Sequence, residues 1–219
     1  MAEMRTEEEQ IEAIKQWWKK NGSSLLIGVG LALAIVFGWQ AWQNHQANVQ
    51  AEAAADFAEL MRQAQQGGDT EEDRESIAYL ANQVREEHDG TTYAVYAMLI
   101  LANQQMMADG DPAAAAETLQ WALDQTGNGE ALSLVVRTRL ARAQYGAGQY
   151  DEALATVRGA DDTGAFEGIL AELEGDILIA SGNTDAARDA YIRARDAGGE
   201  AGIGLLQRKL DSLGIGSDA

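Results

Sequence analysis

The sequence predicts an all-α protein: one N-terminal transmembrane helix, then a solenoid of paired helices, then a C-terminal capping helix. A run without any formal charge, Asn21–Ala51, lies behind three lysines near the N-terminus. Two turn-like blocks that begin at Gly148 and Gly182 are 34 residues apart. Only one proline occurs in 219 residues rich in Ala, Leu, Gln and Glu, which favours helix.

Composition excludes several function classes. The 46% of apolar residues suffices for a folded core. With no cysteine, the chain has no disulfide, thiolate metal site or cysteine nucleophile. A formal charge of −19 excludes a nucleic-acid partner, because phosphates require a basic surface. Residues 45–219 alone hold 30 acidic and 12 basic side chains, so the two parts of the chain are expected to have different surroundings.

The first element, residues 1–20, is predicted to be a cytoplasmic amphipathic stub. Thr6 and Glu9 have the spacing of a capping box at a helix start. An apolar stripe at helical spacing follows, made of Ile11, Ile14, Trp17 and Trp18. The stub is either a helix lying on the bilayer surface or a docking helix for a cytoplasmic partner.

The second element, residues 21–44, is predicted to be a transmembrane signal anchor in the lipid bilayer. Ser24–Trp42 is nearly all apolar over 19 residues, about the length that crosses a bilayer core. From Trp18 to Trp39 a helix rises roughly 31 Å, and tryptophan favours both membrane interfaces. Lysines flank only the near side, which predicts a cytoplasmic N-terminus and a periplasmic region 45–219.

Two alternatives to a signal anchor stay open. A buried core helix could be equally apolar, although lysine flanks and tryptophan belts are not expected of one. A cleaved signal peptide normally has a shorter apolar region after a short basic start, whereas about 20 residues precede this one. Within the span, Gly30, Ala34 and Gly38 share one face and would let a partner helix approach closely. Glycine and alanine are also common in membrane helices without a partner.

The third element, residues 45–219, shows internal repeats. The interval of 34 residues between Gly148 and Gly182 is the length of a tetratricopeptide repeat. A third copy begins at Gly110, and the four extra residues before Gly148 are assigned to the segment 126–130. The sequence therefore predicts a tetratricopeptide-like α-solenoid. Its repeats are expected at about 46–88, 92–125, 131–160 and 166–197, with a cap at 201–213.

The repeat register predicts a protein-binding groove on the first helix of each pair. Four positions at helical spacing line the concave surface of such solenoids. They correspond to Ala97, Ile100, Gln104 and Met107, to Val135, Thr138, Arg142 and Tyr145, and to Ile169, Glu172, Asp176 and Ile179. The alternative for the apolar members is that they pack against neighbouring helices. Arg142 could be ready for a partner or could pair with Glu172 and Asp176.

No active site is predicted. The two histidines, His45 and His88, do not suggest a triad. A calcium-like loop that starts at Asp124 has Val135 where a bidentate glutamate is needed. The two aspartates at 161–162 are expected to lie in a solvated turn and not to form a metal site. We expect no enzyme activity, no cofactor and no metal.

Four segments of the sequence resemble the YfgM family, whose members are ancillary subunits of the bacterial SecYEG translocon. They are the stub Glu9–Gly22, the membrane exit Gly38–Gln46, and the repeat segments Arg139–Ala143 and Gly175–Arg188. The resemblance implies an inner-membrane protein with one span and a periplasmic tetratricopeptide-like domain. It also implies association with the translocon and with the periplasmic chaperone PpiD, and it supplies no catalytic residues. The strong acidity departs from the family pattern.

Two functional hypotheses follow. The first is a non-enzymatic adaptor at the Sec translocon that links exported polypeptides to periplasmic chaperones. The second is a membrane-tethered scaffold for another envelope complex or regulatory pathway.

Overall fold

The computed structural model describes residues 7–67, 70–127, 130–198 and 203–214, and over these ranges the chain forms helices joined by turns. The helices are α1 Glu7–Gln66, α2 Glu71–Glu87, α3 Thr92–Met107, α4 Pro112–Asp124, α5 Ala131–Gly146, α6 Tyr150–Arg158, α7 Glu167–Ala180, α8 Thr184–Ala197 and α9 Ile203–Ser212. A 3₁₀ turn, Gly164–Phe166, leads into α7. The predicted all-α fold class is confirmed.

The chain divides into two units, residues 1–51 and 52–219, called here the anchor unit and the repeat unit. In the anchor unit, α1 begins at Glu7 and continues without a break. Asn21 donates its side-chain N–H to the carbonyl of Trp17 at 3.1 Å, so the junction between stub and span is itself helical. The two alternatives for the stub, a helix on the bilayer surface and a docking helix for a cytoplasmic partner, stay predictions. The capping box predicted at Thr6 lies outside the described residues.

The apolar part of α1 makes it the helix that could cross a membrane. Among the described residues, one helix is long and apolar enough to do so. Its apolar side chains are exposed, including Ile14 in the stub and Phe37 in the span. Tryptophans stand at both ends of the apolar stretch, and Trp39 and Trp42 contact each other. These features agree with a span, while the limits 21–44 stay a prediction.

The helices of the repeat unit pack in chain order, from α2 against α3 through α8 against α9, and α5 also contacts α7. This neighbour-to-neighbour packing is that of a helical-repeat solenoid. The pairs α3–α4, α5–α6 and α7–α8 fall within the ranges 92–125, 131–160 and 166–197. The insertion assigned to 126–130 lies partly outside the described residues.

The turn glycines explain why the repeat is visible in the sequence. Gly148 and Gly182 have φ of 74° and 83°, a left-handed conformation that side chains disfavour. After each, the next N–H bonds back to the helix: Gln149 to Gln144 at 2.9 Å, and Asn183 to Leu178 at 2.8 Å. This is the Schellman ending of a helix. It stops the first helix and starts the second at the same place in each repeat.

The core of the repeat unit is built from small residues that let helices approach. Gly175 on α7 lies under the ring of Tyr191 on α8, which is only 3% exposed. A Cβ at Gly175 would come within 2.4 Å of that ring. The absence of a side chain at Gly175 therefore lets α7 and α8 pack closely at this point. Fully buried side chains such as Met98, Leu140 and Ile177 fill the spaces between other pairs.

A buried carboxylate ties three helices together in the last repeats. Glu174 on α7 is 5% exposed. Its two oxygens accept hydrogen bonds from Arg158 on α6 at 2.7 Å and from Arg193 on α8 at 2.6 Å. A buried charge is tolerated when it is paired in this way.

Candidate binding surface of the helical repeats

Helix α5 is buried on all sides but one. Neighbouring helices cover the residues of its other faces, among them Leu134, Leu140 and Ala141. The remaining strip carries three long exposed side chains, Arg139, Arg142 and Tyr145, at intervals of three residues. Residues at this spacing lie on one face of a helix. We call these three residues the α5 strip.

Helices α3 and α7 also present apolar residues at their last turns. Met107 on α3 is 77% exposed, and Ile179 on α7 is 40% exposed. With Tyr145, they each precede a turn glycine by three residues, so the repeat places them at equivalent positions. Ile169, one of the predicted groove residues, is 45% exposed at the start of α7. Exposed apolar side chains at equivalent positions are typical of a contact surface.

Two of the predicted groove positions are buried and a third is partly buried. Thr138 is 5% exposed, and its hydroxyl donates to the carbonyl of Leu134 in its own helix at 2.7 Å. Ala97 is fully buried, and Ile100 packs against the core while partly buried. An exposed residue lies directly beside each of the two buried ones, since Tyr96 precedes Ala97 on α3 and Arg139 follows Thr138 on α5.

Arg139 and Tyr96 are exposed, and the prediction omitted both. Tyr96 is 40% exposed and contacts Phe57, with ring centroids 6.0 Å apart. Arg139 lies one turn before Arg142, so helical spacing from Arg142 could have found it. Gln104 is half-buried and donates to the backbone carbonyl of Arg74 at 3.1 Å.

The acidic pair on α7 is bound from within the chain. Lys209 on α9 contacts Glu172 at 2.7 Å and Asp176 at 2.7 Å. The hydroxyl of Tyr191 donates to Asp176 at 2.8 Å. The basic partner of the two acids is thus Lys209, and pairing with Arg142, one of the two alternatives, is not what the structure shows.

The hydrogen bonds between Lys209 and the two acids of α7 favour the charged form of the lysine. Burial opposes the charge on Lys209, but the hydrogen bonds to Asp176 and Glu172 outweigh that effect and raise the pKa of its ammonium group. Burial, followed by the hydrogen bond to Asp176, raises the pKa of the Tyr191 phenol. The charges of Asp176 and Glu172 raise the pKa of this phenol further.

The cluster is completed by apolar contacts of the capping helix. Leu206 and Leu210 of α9 are buried against Leu178 and Tyr191. Helix α9 therefore covers the end of the solenoid as a cap would. Residues 201–202 of the predicted cap lie outside the described residues.

A buried histidine was not predicted to have a partner. His88 ends α2, is 7% exposed, and its Nε2 lies 2.7 Å from Oδ2 of Asp56 on α1. With Glu87, the two residues offer ligand atoms within 4.8 Å of one another. Glu87 is exposed, and the contact is accounted for by the packing of α1 against the end of α2.

In the anchor unit, Gly30, Ala34 and Gly38 form an open face. A Cβ on either glycine would meet nothing within 4 Å. The three residues are exposed, so a second helix could approach the backbone of α1 here.

Comparisons with known proteins decide the family. A family model described as a tetratricopeptide repeat-like domain matches residues 15–215. The ancillary SecYEG translocon subunit of Haemophilus influenzae is 33% identical over 213 residues, which cover 97% of this chain and all of that protein. The chain belongs to the YfgM family of ancillary SecYEG translocon subunits.

Two further YfgM proteins extend the comparison. The ancillary SecYEG translocon subunit of Escherichia coli is 31% identical over 95% of this chain and 97% of its own length. The protein of the same name from Neisseria gonorrhoeae is 28% identical over 97% of this chain and all of its own length. No solved structure matches the chain. Family membership and the apolar helix together indicate a single-pass protein of the inner membrane, and ancillary translocon subunits are not an enzyme class.

Proposed function

We propose that the chain is a membrane-anchored adaptor that associates with the SecYEG translocon and links exported polypeptides to a PpiD-like periplasmic chaperone. The observation that carries this proposal is the set of exposed side chains on the first helices: Met107, Tyr145, Ile179 and Arg142. Residues of these types contribute strongly to protein interfaces, and methionine adapts to varied apolar partners. The names of the relatives support the translocon as the assembly to which the anchor brings this surface.

The repeat unit has the chemistry of a binding module. A cavity beside the turn that follows α4 is lined by Leu123, Asp124, Thr126, Ser133 and Arg137, and these five residues do not form a catalytic triad. A surface that contacts protein segments needs only exposed anchors on a rigid scaffold. Helical repeats supply that scaffold.

Copurification tests the translocon association. The full chain would be extracted from inner membranes with a mild detergent that preserves the contacts among SecY, SecE and SecG. We expect the translocon subunits and a PpiD-like chaperone to be recovered with it. If neither is recovered from such extracts, the adaptor proposal is wrong and the scaffold for another envelope complex takes its place.

The orientation is tested separately. Lys15, Lys19 and Lys20 precede the span, and the first basic residue after it is Arg62, which supports a cytoplasmic N-terminus. Protease added to spheroplasts should therefore degrade the repeat unit and leave the stub intact. A protected repeat unit would refute the orientation.

A further inference from the structure

The α5 strip carries two arginines that have no ion-pair partner among the residues that the structure describes. Arg139 and Arg142 are both exposed and lie one helical turn apart. Across the ranges that the structure describes, neither guanidinium forms an ion pair or a hydrogen bond. Like charges one turn apart on a helix repel each other slightly, so this arrangement costs rather than adds stability.

Most basic side chains of the repeat unit have partners, which makes this pair unusual. On the exposed surface of a domain with 30 acidic and 12 basic residues, an arginine easily finds a carboxylate. The partnered ones are Arg62 with Glu59, Arg74 with Asp109, Arg85 with Glu86, Arg137 with the carbonyl of Thr156, Arg158 and Arg193 with Glu174, Arg188 with the carbonyl of Leu213, Arg195 with Asp196, and Lys209 with Glu172 and Asp176. Arg208, on α9, is the other exception among the described residues.

The acids that could have neutralised Arg142 are already engaged. Glu172 and Asp176 lie on α7, which contacts α5, yet both bind Lys209. Asp176 also accepts a hydrogen bond from Tyr191. The internal pairing on α7 thus leaves the positive charge of the α5 strip without a counter-charge.

The third residue of the α5 strip, Tyr145, offers an aromatic ring whose position is fixed by a neighbouring ring. Tyr145 is 37% exposed, and its ring lies 6.0 Å from that of Tyr150, centroid to centroid. A ring fixed by such packing loses little freedom when it binds a partner. The strip therefore offers two cationic forks and, one turn further on, an aromatic surface.

We propose that the α5 strip docks an acidic amphipathic segment of a partner protein. Two carboxylates one helical turn apart would pair with Arg139 and Arg142, and an apolar side chain of the same segment would lie against Tyr145. Arginine binds carboxylate through two parallel hydrogen bonds, which fixes orientation as well as charge. A nucleic acid is disfavoured because the rest of the domain repels phosphates. This inference rests on the proposed function and names the chemistry of the segment that the adaptor recognises.

Two peptides test the proposal on the full chain in detergent. Both would be short amphipathic helices with the same apolar stripe and a fluorescent label. One carries Glu at two positions one turn apart, and the other carries Gln there. The net field of a chain with a charge of −19 disfavours the Glu peptide. Tighter binding of the Glu peptide therefore cannot come from general charge attraction.

The expected result is an affinity for the Glu peptide at least about tenfold higher than for the Gln peptide, and this advantage should shrink as salt is raised. The double variant Arg139→Gln with Arg142→Gln should abolish the advantage. The matched control, Arg195→Gln with Arg208→Gln, makes the same change in net charge away from the strip and should keep it. Circular dichroism would show that both variants remain folded, since exposed substitutions usually change stability by within about 0.5 kcal/mol.

Three outcomes would overturn the proposal. They are equal or weaker binding of the Glu peptide, an equal loss in the control variant, and no binding of either peptide. Copurification with the translocon is measured independently. If the translocon copurifies but the Glu peptide is not preferred, the adaptor function is retained and the docking of an acidic segment on the α5 strip is refuted.

Discussion

Replacing Gly175 by alanine is expected to destabilise the repeat unit by about 2–4 kcal/mol. The new Cβ would lie 2.4 Å from Cε1 and 2.5 Å from Cδ1 of the Tyr191 ring, so the ring must move. Tyr191 is 3% exposed and has no free space to enter. Packing one extra methyl into such a core costs about 1–3 kcal/mol.

Two other effects adjust this magnitude. Movement of the ring weakens the bond from the Tyr191 hydroxyl to Asp176, and a hydrogen bond to a charged group contributes about 1.5–3 kcal/mol. Alanine within a helix is favoured over glycine by about 1 kcal/mol, which offsets part of the loss. The clash and the weakened hydrogen bond together cost more free energy of unfolding than the better helix propensity of alanine returns. The net effect is therefore a loss of stability.

Urea unfolding of the fragment 45–219, followed by circular dichroism, measures the change. Gly204→Ala is the matched control, because a Cβ at Gly204 in α9 would meet nothing within 4 Å. Adding Tyr191→Leu to Gly175→Ala should recover at least about 1 kcal/mol relative to the sum of the single changes, as contacting residues do. A stabilised Gly175→Ala variant, or strict additivity, would refute the assigned contact.

Three further predictions concern the charged clusters and the span. Glu174→Gln should cost about 1–3 kcal/mol by weakening the bonds from both arginines, and Glu75→Gln, at an exposed position, should leave urea unfolding unchanged. Lys209→Met should lower the melting temperature. Because the folded-state pKa of Lys209 is raised, its stabilisation is complete below the ordinary lysine pKa of about 10.4 and is lost as pH rises through the folded-state value. The gap in melting temperature between wild type and variant should thus be constant up to about pH 10 and shrink above it; a gap that widens there would contradict the assigned pairing. Leucine at all three small residues of the open face should preserve membrane insertion and reduce copurification of membrane partners, and a wild-type yield would exclude that face as an interface. Those residues are Gly30, Ala34 and Gly38.

The fold was predictable because its main signals are local. A membrane span follows from hydropathy and flanking charge, and turn glycines mark repeats because only glycine adopts positive φ without strain. Gly148 and Gly182 illustrate this directly. The continuity of α1 was not predictable, because Asn21-Gly22-Ser23-Ser24 at the junction of stub and span are residue types typical of turns, although α1 has no break there.

The candidate surface was harder to predict because it depends on which face each helix turns to its neighbours and on distant contacts. An ideal repeat register placed Thr138 in the groove, whereas Thr138 is 5% exposed and the next residue, Arg139, is the exposed one. Lys209 is separated from Glu172 by 37 residues, and the pairing crosses from the cap to the last repeat. No pattern within one repeat reports such a contact.

The shared carboxylate of Glu174 also has a consequence for how the end of the solenoid opens. In a chain of repeats held only by neighbours, terminal helices can fray one at a time. Loss of α8 would here break the ion pair between Arg193 and Glu174 as well as the apolar contacts of α8, and would leave Glu174 with Arg158 on α6 as its partner. Partial fraying is therefore penalised, so helices α6, α7 and α8 should form one foldon whose amides exchange with solvent together.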